Sequence, residues 1–378
     1  MKILAVGDSF VPTRLFEIGL AALVAEHQVR YIQLDMDAPF VPSTPSERSI
    51  GEYAGNPQQL VDALEDDEIL LVHGAPVTDV VLDASPGLRM VGVARGGPVN
   101  IDLAAASDRG IAVVTAPGRN ADAVADLTLS FIIMLARGIM TGVEYVSRGG
   151  HVGDSAFEGA RFFGHELGGH ILGLVGYGNV GARVARRALA FGMSILVSDP
   201  YVSTAQVEGQ GIGMTNLDDL LARSDFVSLH ARVTPETNNF FDAQKFAAMK
   251  QGSFFINTAR ESLVDELALY EALVSQHIAG AALDVLRPWH SDSPHPLVSL
   301  SNVIITPHIG GATHEAALRG VQTLAAQIDR YLLGQPMQNV VNRGTTGSSR
   351  SSTRLLQEDG LADRTALPAD PLREQTRD

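Results

Sequence analysis

Ile171-Leu172-Gly173-Leu174-Val175-Gly176-Tyr177-Gly178-Asn179-Val180-Gly181 is the stretch on which the fold turns. An apolar strand runs into glycines at G-x-G-x-x-G spacing, and residues 182–191 then read as a helix. A second strand, 194–198, delivers Asp199, 18 residues past Gly181. Each part has a task in holding a dinucleotide. Gly176 permits a tight turn, Gly178 lets backbone N–H groups come up to a pyrophosphate, and Gly181 lets the helix lie close on the strand. The helix N-terminus offers free N–H donors and a partial positive charge. Asp199 is placed to accept from both ribose hydroxyls. It favours NAD, because a 2′-phosphate beside it would meet like charge.

Working outward, the 378 residues suffice for two domains with real cores. The chain has no cysteine, which excludes disulfides, thiolate metal sites and cysteine nucleophiles. We expect no metal. The net charge is −15 with no basic run, which argues against nucleic acid and anionic membranes as partners. The start reads as a buried first strand, too short in apolar run for a signal peptide. No stretch approaches the roughly 18 uninterrupted apolar residues of a membrane span, so a soluble, cytoplasmic protein is expected.

Upstream, strands at 3–6, 28–34, 69–73 and 90–94 alternate with helices at 13–26, 57–64 and 78–84. That βαβ pattern predicts a parallel sheet. Residues 38–55, rich in Pro, Ser and Gly, read as an extended surface loop. Residues 120–148 read as one long linking or dimer-forming helix, and 149–164 as irregular. Downstream of the glycine motif, strands at 226–230, 253–257, 279–284 and 303–306 alternate with helices at 217–222, 242–249 and 266–275. This predicts a doubly wound sheet. Residues 310–333 read as a helix that returns to the first domain, and 343–378 as a disordered tail.

Four clusters carry side chains fit for chemistry. The first runs from Ser228 to Thr237 at a strand end, where open α/β sheets bind ligands. It is read as cofactor-facing through His230, Ala231, Arg232 and Thr237. The second is Asn257-Thr258-Ala259-Arg260, whose arginine can grip a carboxylate through paired hydrogen bonds. The third ends in Asp284. The fourth is Thr306-Pro307-His308-Ile309-Gly310-Gly311, which sets an imidazole beside glycines. Reducing a 2-oxo acid requires a group that holds the carboxylate and polarises the carbonyl, and a group that supplies a proton. Arg260 suits the first task and His308 the second.

With these residues in place, the chain resembles the D-isomer-specific 2-hydroxyacid dehydrogenases over roughly residues 60–342. The matching stretches are Asn100-Ile101-Asp102, Asn120 with Ala123-Val124-Ala125-Asp126, Gly176 to Gly181, Thr234-Pro235-Glu236-Thr237, Asn257 to Arg260, Gly280 to Val285, and Thr306 to Gly311. The resemblance implies two α/β domains with the cleft between them. A flavodoxin-like substrate domain would take 1–115 plus 311–342, and an inserted Rossmann NAD-binding domain 116–310. It implies a homodimer through the long helix. It implies NAD-dependent interconversion of a D-2-hydroxy acid and its 2-oxo acid, with Arg260 on the substrate and His308 as acid/base. Asn179 and Val180 would meet the pyrophosphate, and Asp199 the adenosine ribose. Thr258, Ala259, Arg260 and Asp284 would lie near the nicotinamide, and His308, Gly310 and Gly311 are further cofactor-binding candidates.

Two departures stand out. The family's glutamate beside the catalytic histidine falls here on Trp289, and an indole accepts no imidazole proton. Asp292, His290 or Glu261 could substitute, the substrate could carry the compensating group, or the protein could bind NAD with weak activity. A non-catalytic NAD-binding regulator is therefore the rival reading. The carboxylate-binding loop reads Ala94-Arg95-Gly96-Gly97-Pro98. Gly96 and Gly97 keep its backbone open. Arg95 either pairs with a surface acid or recognises a larger polyanionic or sugar-acid substrate. Trp289 could wall that cleft. Arg232, where the family often has proline, could bring some NADP tolerance.

Overall fold

The computed structural model describes residues 1–34, 42, 44–150, 159, 162–289 and 294–342. The expected tail and most of the irregular 149–164 stretch lie outside these residues. Two parallel sheets organise the rest. The first contains β1 (Lys2–Gly7), β2 (Gln28–Gln33), β3 (Ile69–Val72), β4 (Met90–Val93) and β5 (Ala112–Thr115), in the order β2-β1-β3-β4-β5. Every residue of β3, β4 and β5 is buried, as expected of parallel strands covered on both faces. The order reverses between β1 and β3, and that switch point is where such sheets bind ligands.

The second sheet contains β6 (Ile171–Val175), β7 (Ser194–Ser198), β8 (Ile212–Met214), β9 (Phe226–Leu229), β10 (Phe254–Asn257), β11 (Gly280–Leu283) and β12 (Val303–Ile305). Its order is β12-β11-β10-β9-β6-β7-β8, with the switch between β6 and β9. This is the doubly wound, dinucleotide-binding order extended by one strand. Strands β5 and β8 are additions to the sequence reading. Both are short, and Ile212-Gly213-Met214 has too little apolar run to stand out.

The helix His314–Leu332 leaves the second sheet and packs on the first. Val321, Leu324 and Ile328 join Ile3, Ala5, Phe16 and Leu20 in one core cluster. It crosses the helix Thr13–Gly19 so closely that a Cβ on Gly19 would lie 2.6 Å from Val321 Cγ1. The expected 13–26 helix accordingly breaks at Leu20 into Thr13–Gly19 and Ala21–Val24. The chain then returns to β5, where the Asn342 side chain accepts from Val113 N at 2.8 Å and donates to Ile111 O at 2.7 Å.

The expected single helix over 120–148 is corrected. It is two helices, Ala121–Arg137 and Ile139–Ser147, bent by 67°. Gly138 between them sits at φ 58, ψ 34, and its N–H turns back to Leu135 and Met134 carbonyls. A left-handed glycine that closes the last turn is a helix C-cap, and it ends the first rod. Ala121–Arg137 is buried along Val124, Ala125, Leu129, Phe131 and Ile132, whereas Ile139–Ser147 buries nothing. Among the described residues no single helix is long and apolar enough to cross a membrane. The stretch expected as an extended loop holds one helical turn, Pro45–Arg48, closed by a Thr44–Glu47 capping box.

Candidate active site

The strand ends of the two sheets meet along a seam. A Cβ on Gly118, just past β5, would lie 3.0 Å from Asn179 Nδ2 in the glycine-rich turn, and one on Gly311 would lie 2.7 Å from Asn120 Nδ2. The 118–120 segment therefore touches both the dinucleotide turn and the His308 loop.

In that turn Gly176 has φ +99, and a Cβ there would press on the His230 carbonyl at 2.7 Å. A Cβ on Gly181 would lie 2.4 Å from Gly176 O. These two glycines are demanded by the protein's own packing. Gly178 is different, because a Cβ there meets nothing within 4 Å. The space it leaves lies over the N-terminus of the helix Asn179–Ala190, which no side chain caps among the described residues. Free N–H groups facing open space fit a pyrophosphate. Asp199 stands at the end of β7, with Oδ2 accepting from Tyr177 N at 2.7 Å and Oδ1 from Tyr201 N at 2.8 Å. The carboxylate is thereby fixed with lone pairs left for two ribose hydroxyls. Open space at the turn and a fixed carboxylate at the end of β7 fit the chemistry of a dinucleotide's pyrophosphate and ribose.

On the other side of the switch point, His230 Nε2 lies 3.0 Å from Ser228 Oγ. Burial pushes this imidazole down to about 4, so it is neutral at physiological pH. Ala231 is half-buried and Arg232 exposed. Thr237 Oγ1 donates to the Arg232 carbonyl at 2.7 Å and closes the 232–237 loop. Thr258 is buried, with its hydroxyl 2.9 Å from that of Thr128. Asn257 accepts from Ala259 N and donates to Arg260 O, both at 2.9 Å, which shapes the turn that carries Arg260 outward. The Arg260 guanidinium is exposed, and among the described residues its hydrogen bonding is confined to the neighbouring Ala259 carbonyl.

Asp284 is buried and committed to the His308 loop. Its Oδ1 accepts from Thr306 Oγ1 at 2.5 Å and Ile309 N at 2.9 Å, and its Oδ2 from Gly310 N at 2.7 Å. A Cβ on Gly310 would lie 2.8 Å from that second oxygen. Gripped this way, His308 is held at φ 56, a left-handed conformation that costs energy outside glycine and recurs at working sites. Its ring is exposed and lines a cavity of about 240 Å³ with Glu261, Asp284, Val285, Leu286, Ile305, Thr306 and Pro307.

Trp289 is about half exposed and packs on His295, ring centroids 4.9 Å apart. His295 in turn is 3.0 Å from Glu266. His290 and Asp292 lie outside the described residues. On the first sheet, Arg95 donates to the Glu52 carbonyl at 2.7 Å and pairs with the Glu52 carboxylate, which favours the surface-acid reading of that arginine. A Cβ on Gly96 or Gly97 would meet nothing within 4 Å.

The sequence reading missed a cluster at the switch point of the first sheet. Asp8, His73 and Arg119 follow β1, β3 and β5, and each is more than nine-tenths buried. Asp8 Oδ2 is 3.0 Å from His73 Nδ1 and accepts from Gly74 N at 2.8 Å. His73 Nε2 lies 3.3 Å from Arg119 Nη2. Burial raises Asp8, but His73 and the Val11 and Gly74 N–H groups outweigh it and hold the carboxyl below its ordinary range. Burial lowers His73 more than Asp8 raises it. Burial and the neighbouring Arg95 bring Arg119 down to about 10. Phe10 stacks on His73 with centroids 5.1 Å apart. The strand-end rule applied to the second sheet would have found Asp8 and His73 had it been applied to the first.

Comparison with known proteins agrees with this architecture. Residues 129–310 match the family profile described as D-isomer specific 2-hydroxyacid dehydrogenase, NAD binding domain. A glyoxylate reductase of Korarchaeum cryptofilum is 34% identical over 334 residues, spanning 88% of this chain and 95% of that protein. The chain belongs to the D-isomer specific 2-hydroxyacid dehydrogenase family. A D-3-phosphoglycerate dehydrogenase of Methanocaldococcus jannaschii is 38% identical over 287 residues, 75% of this chain. The chain spans only 53% of that relative's length. A crystal structure of a Thermus thermophilus protein superposes with a TM-score of 0.69 at 31% identity, covering 90% of this chain and all of that one. As a member of this family, the chain carries an NAD-binding domain, and NAD is its cofactor.

Proposed function

We propose that this protein is an NAD-dependent oxidoreductase that interconverts a D-2-hydroxy acid and its 2-oxo acid. One observation carries the reading. Arg260 follows β10 and His308 follows β12 at the same edge of the dinucleotide sheet, and both are exposed side chains without an ion pair among the described residues. A structural arginine or histidine is normally committed to a partner, whereas these two are held ready by backbone contacts alone.

Arg260 binds the substrate carboxylate and polarises the 2-oxo group, with the open N–H groups of Gly96 and Gly97 on the other wall. His308 gives its proton to the carbonyl oxygen in reduction and takes it back in oxidation. The bound nicotinamide supplies or receives the hydride. Gly176, Gly178, Asn179, Val180 and Gly181 hold the pyrophosphate, and Asp199 the ribose. His230 to Arg232 and Thr237 flank the adenosine side, and Thr258, Ala259, Asp284, Gly310 and Gly311 shape the nicotinamide side. Arg95 and Trp289 bound the substrate space. Closure of the domains 1–115 plus 311–342 on 116–310 excludes water.

We also infer a cytoplasmic homodimer that engages neither nucleic acid nor membrane. Ile139, Met140, Val143 and Val146 leave an apolar face exposed on a helix that buries nothing, which supports a second copy as its cover. Light scattering of wild type and Val143→Arg tests this; a wild-type monomer rejects it.

The deciding assay is NADH oxidation with glyoxylate, hydroxypyruvate, and phosphorylated and sugar-derived 2-oxo acids. Turnover with one of them, abolished in Arg260→Ala, is expected. Tight NADH binding without turnover of any would establish the regulator instead. That rival draws its support from the reading that Trp289, which packs on His295, stands in place of the family's glutamate.

A further inference from the structure

Three neighbouring strands of the first sheet, β3, β4 and β5, end at one edge, and each delivers a basic side chain there: His73, Arg95 and Arg119. The edge is firmly built. Asn100 Nδ2 donates to the carbonyls of His73 and Ala75 at 3.2 and 2.7 Å. Ala116 N donates to Arg95 O at 2.7 Å, and Arg319 Nη1 to Arg119 O at 2.5 Å. The acids on hand are already engaged. Glu52 takes Arg95. Asp8 accepts from Phe10 N, Val11 N and Gly74 N and faces His73 Nδ1. With its proton on Nδ1, the His73 ring turns a lone pair on Nε2 toward Arg119 Nη2 at 3.3 Å. What is left over is Arg119 itself. It is 7% exposed, makes no ion pair among the described residues, and its Nη1 is buried without a hydrogen-bond partner.

A buried guanidinium is ordinarily hydrogen-bonded on every side and paired with a carboxylate, because an uncompensated buried charge is strongly destabilising. Here burial and the like charge of Arg95 bring Arg119 down to about 10, and Asp8 offsets only part of this from the far side of His73. The group still carries its charge at neutral pH. A committed wall with one uncommitted guanidinium, at the edge where open α/β sheets take ligands, is complementary to an anion.

We propose that Arg119 is a specificity-determining residue that receives a second anionic group, a carboxylate or a phosphate, at the far end of the 2-oxo acid. This deepens the dehydrogenase reading and rests on it. Arg260 and His308, both on the second sheet, take the reacting end, and the first sheet is left to meet the rest of the molecule. A guanidinium suits the task better than an ammonium, because one side of its fork stays on His73 while the other meets the ligand's oxygens. Arg95 is already paired with Glu52, so Arg119 is the cation that selects.

The test compares matched acids that differ in the far group. One pair is 2-oxoglutarate against 2-oxopentanoate, the other the phosphate ester of hydroxypyruvate against hydroxypyruvate. Each is measured as kcat/KM with NADH, and as Kd by calorimetry with NAD bound, where no hydride moves. In wild type the doubly charged member of one pair should be preferred by at least about tenfold, the worth of a charge-assisted hydrogen bond. The pair that shows it distinguishes carboxylate from phosphate. Arg119→Met should reduce that preference to within about threefold, and Arg119→Lys should keep part of it. A merely structural arginine would lower the melting temperature and depress both members of a pair alike, and that result overturns the proposal. So does a wild-type protein that favours the singly charged member of both pairs, or separates neither by more than about threefold, with no variant needed. A preference seen by calorimetry without turnover would refute the dehydrogenase reading and leave the anion site standing. Turnover confined to singly charged acids would do the reverse.

Discussion

Replacing Gly178 with alanine separates binding from folding at the dinucleotide turn. The added Cβ meets no atom within 4 Å, and φ −85, ψ −156 is extended backbone open to alanine. Restricting the unfolded chain stabilises by about 0.4–1 kcal/mol, and alanine at a helix N-cap gives back a similar amount. Melting should therefore stay within a few degrees of wild type. The empty space belongs to the ligand, however. A methyl group there holds the pyrophosphate off the helix N–H groups. Losing two charge-assisted hydrogen bonds at about 1.5–3 kcal/mol each weakens binding by roughly 10²–10³-fold or more. Gly181→Ala is the control, with its Cβ 2.4 Å from Gly176 O. That overpacking costs about 1–3 kcal/mol and lowers the melting temperature by several degrees. Thermal melting and NADH fluorescence titration of both variants decide the matter. If Gly178→Ala binds NADH within about threefold of wild type, or melts as low as Gly181→Ala, the assignment of that space to the pyrophosphate is wrong.

Arg260→Ala should lose at least about 10²-fold in kcat/KM for reduction while NADH affinity stays within about threefold; equal losses in both would remove Arg260 from the substrate's side. His230 titrates near 4 when folded and near the ordinary value of about 6.5 when unfolded, so the unfolded chain takes up its proton first. The stability that neutral burial of this group contributes is complete above about 6.5 and is lost as pH falls toward 4, on the order of 1–3 kcal/mol. His230→Gln should flatten that part of the melting-temperature profile, and an identical acid limb would contradict the burial. Gly138→Ala forces alanine to φ 58 and should destabilise by about 1 kcal/mol; a variant more stable than wild type would mean the bend relaxes into one straight helix.

Much of the architecture was legible because its signals are local. The glycine spacing from Gly176 to Gly181 and the apolar runs of β3, β6 and β9 each lie within a dozen residues, and each has one reading as a strand or a turn. Arg260 and His308 could be picked out because each directly follows such a strand. Gly138 was equally visible, yet a glycine inside an apolar helical pattern is tolerated more often than not. Only its left-handed geometry showed that it ends a helix. Trp289 was read as a departure from the family pattern, and its ring contact with His295 is a matter of tertiary structure.

What the amino-acid order determined by itself was the alternation of strands and helices, the dinucleotide turn and the residue types available for chemistry, since periodicity and turn stereochemistry act over a few bonds. Tertiary structure alone decided which side chains are spent and which are free. Asp284 was picked out by its place at a strand end, and the fold adds that its carboxylate clamps the His308 loop, whereas Glu261 lines the cavity with no hydrogen bond or ion pair among the described residues. Asp8, His73 and Arg119 are brought together from three strand ends. Such pairings depend on the order in which parallel strands assemble, and that order is set by the burial of whole faces, which no short stretch of chain contains.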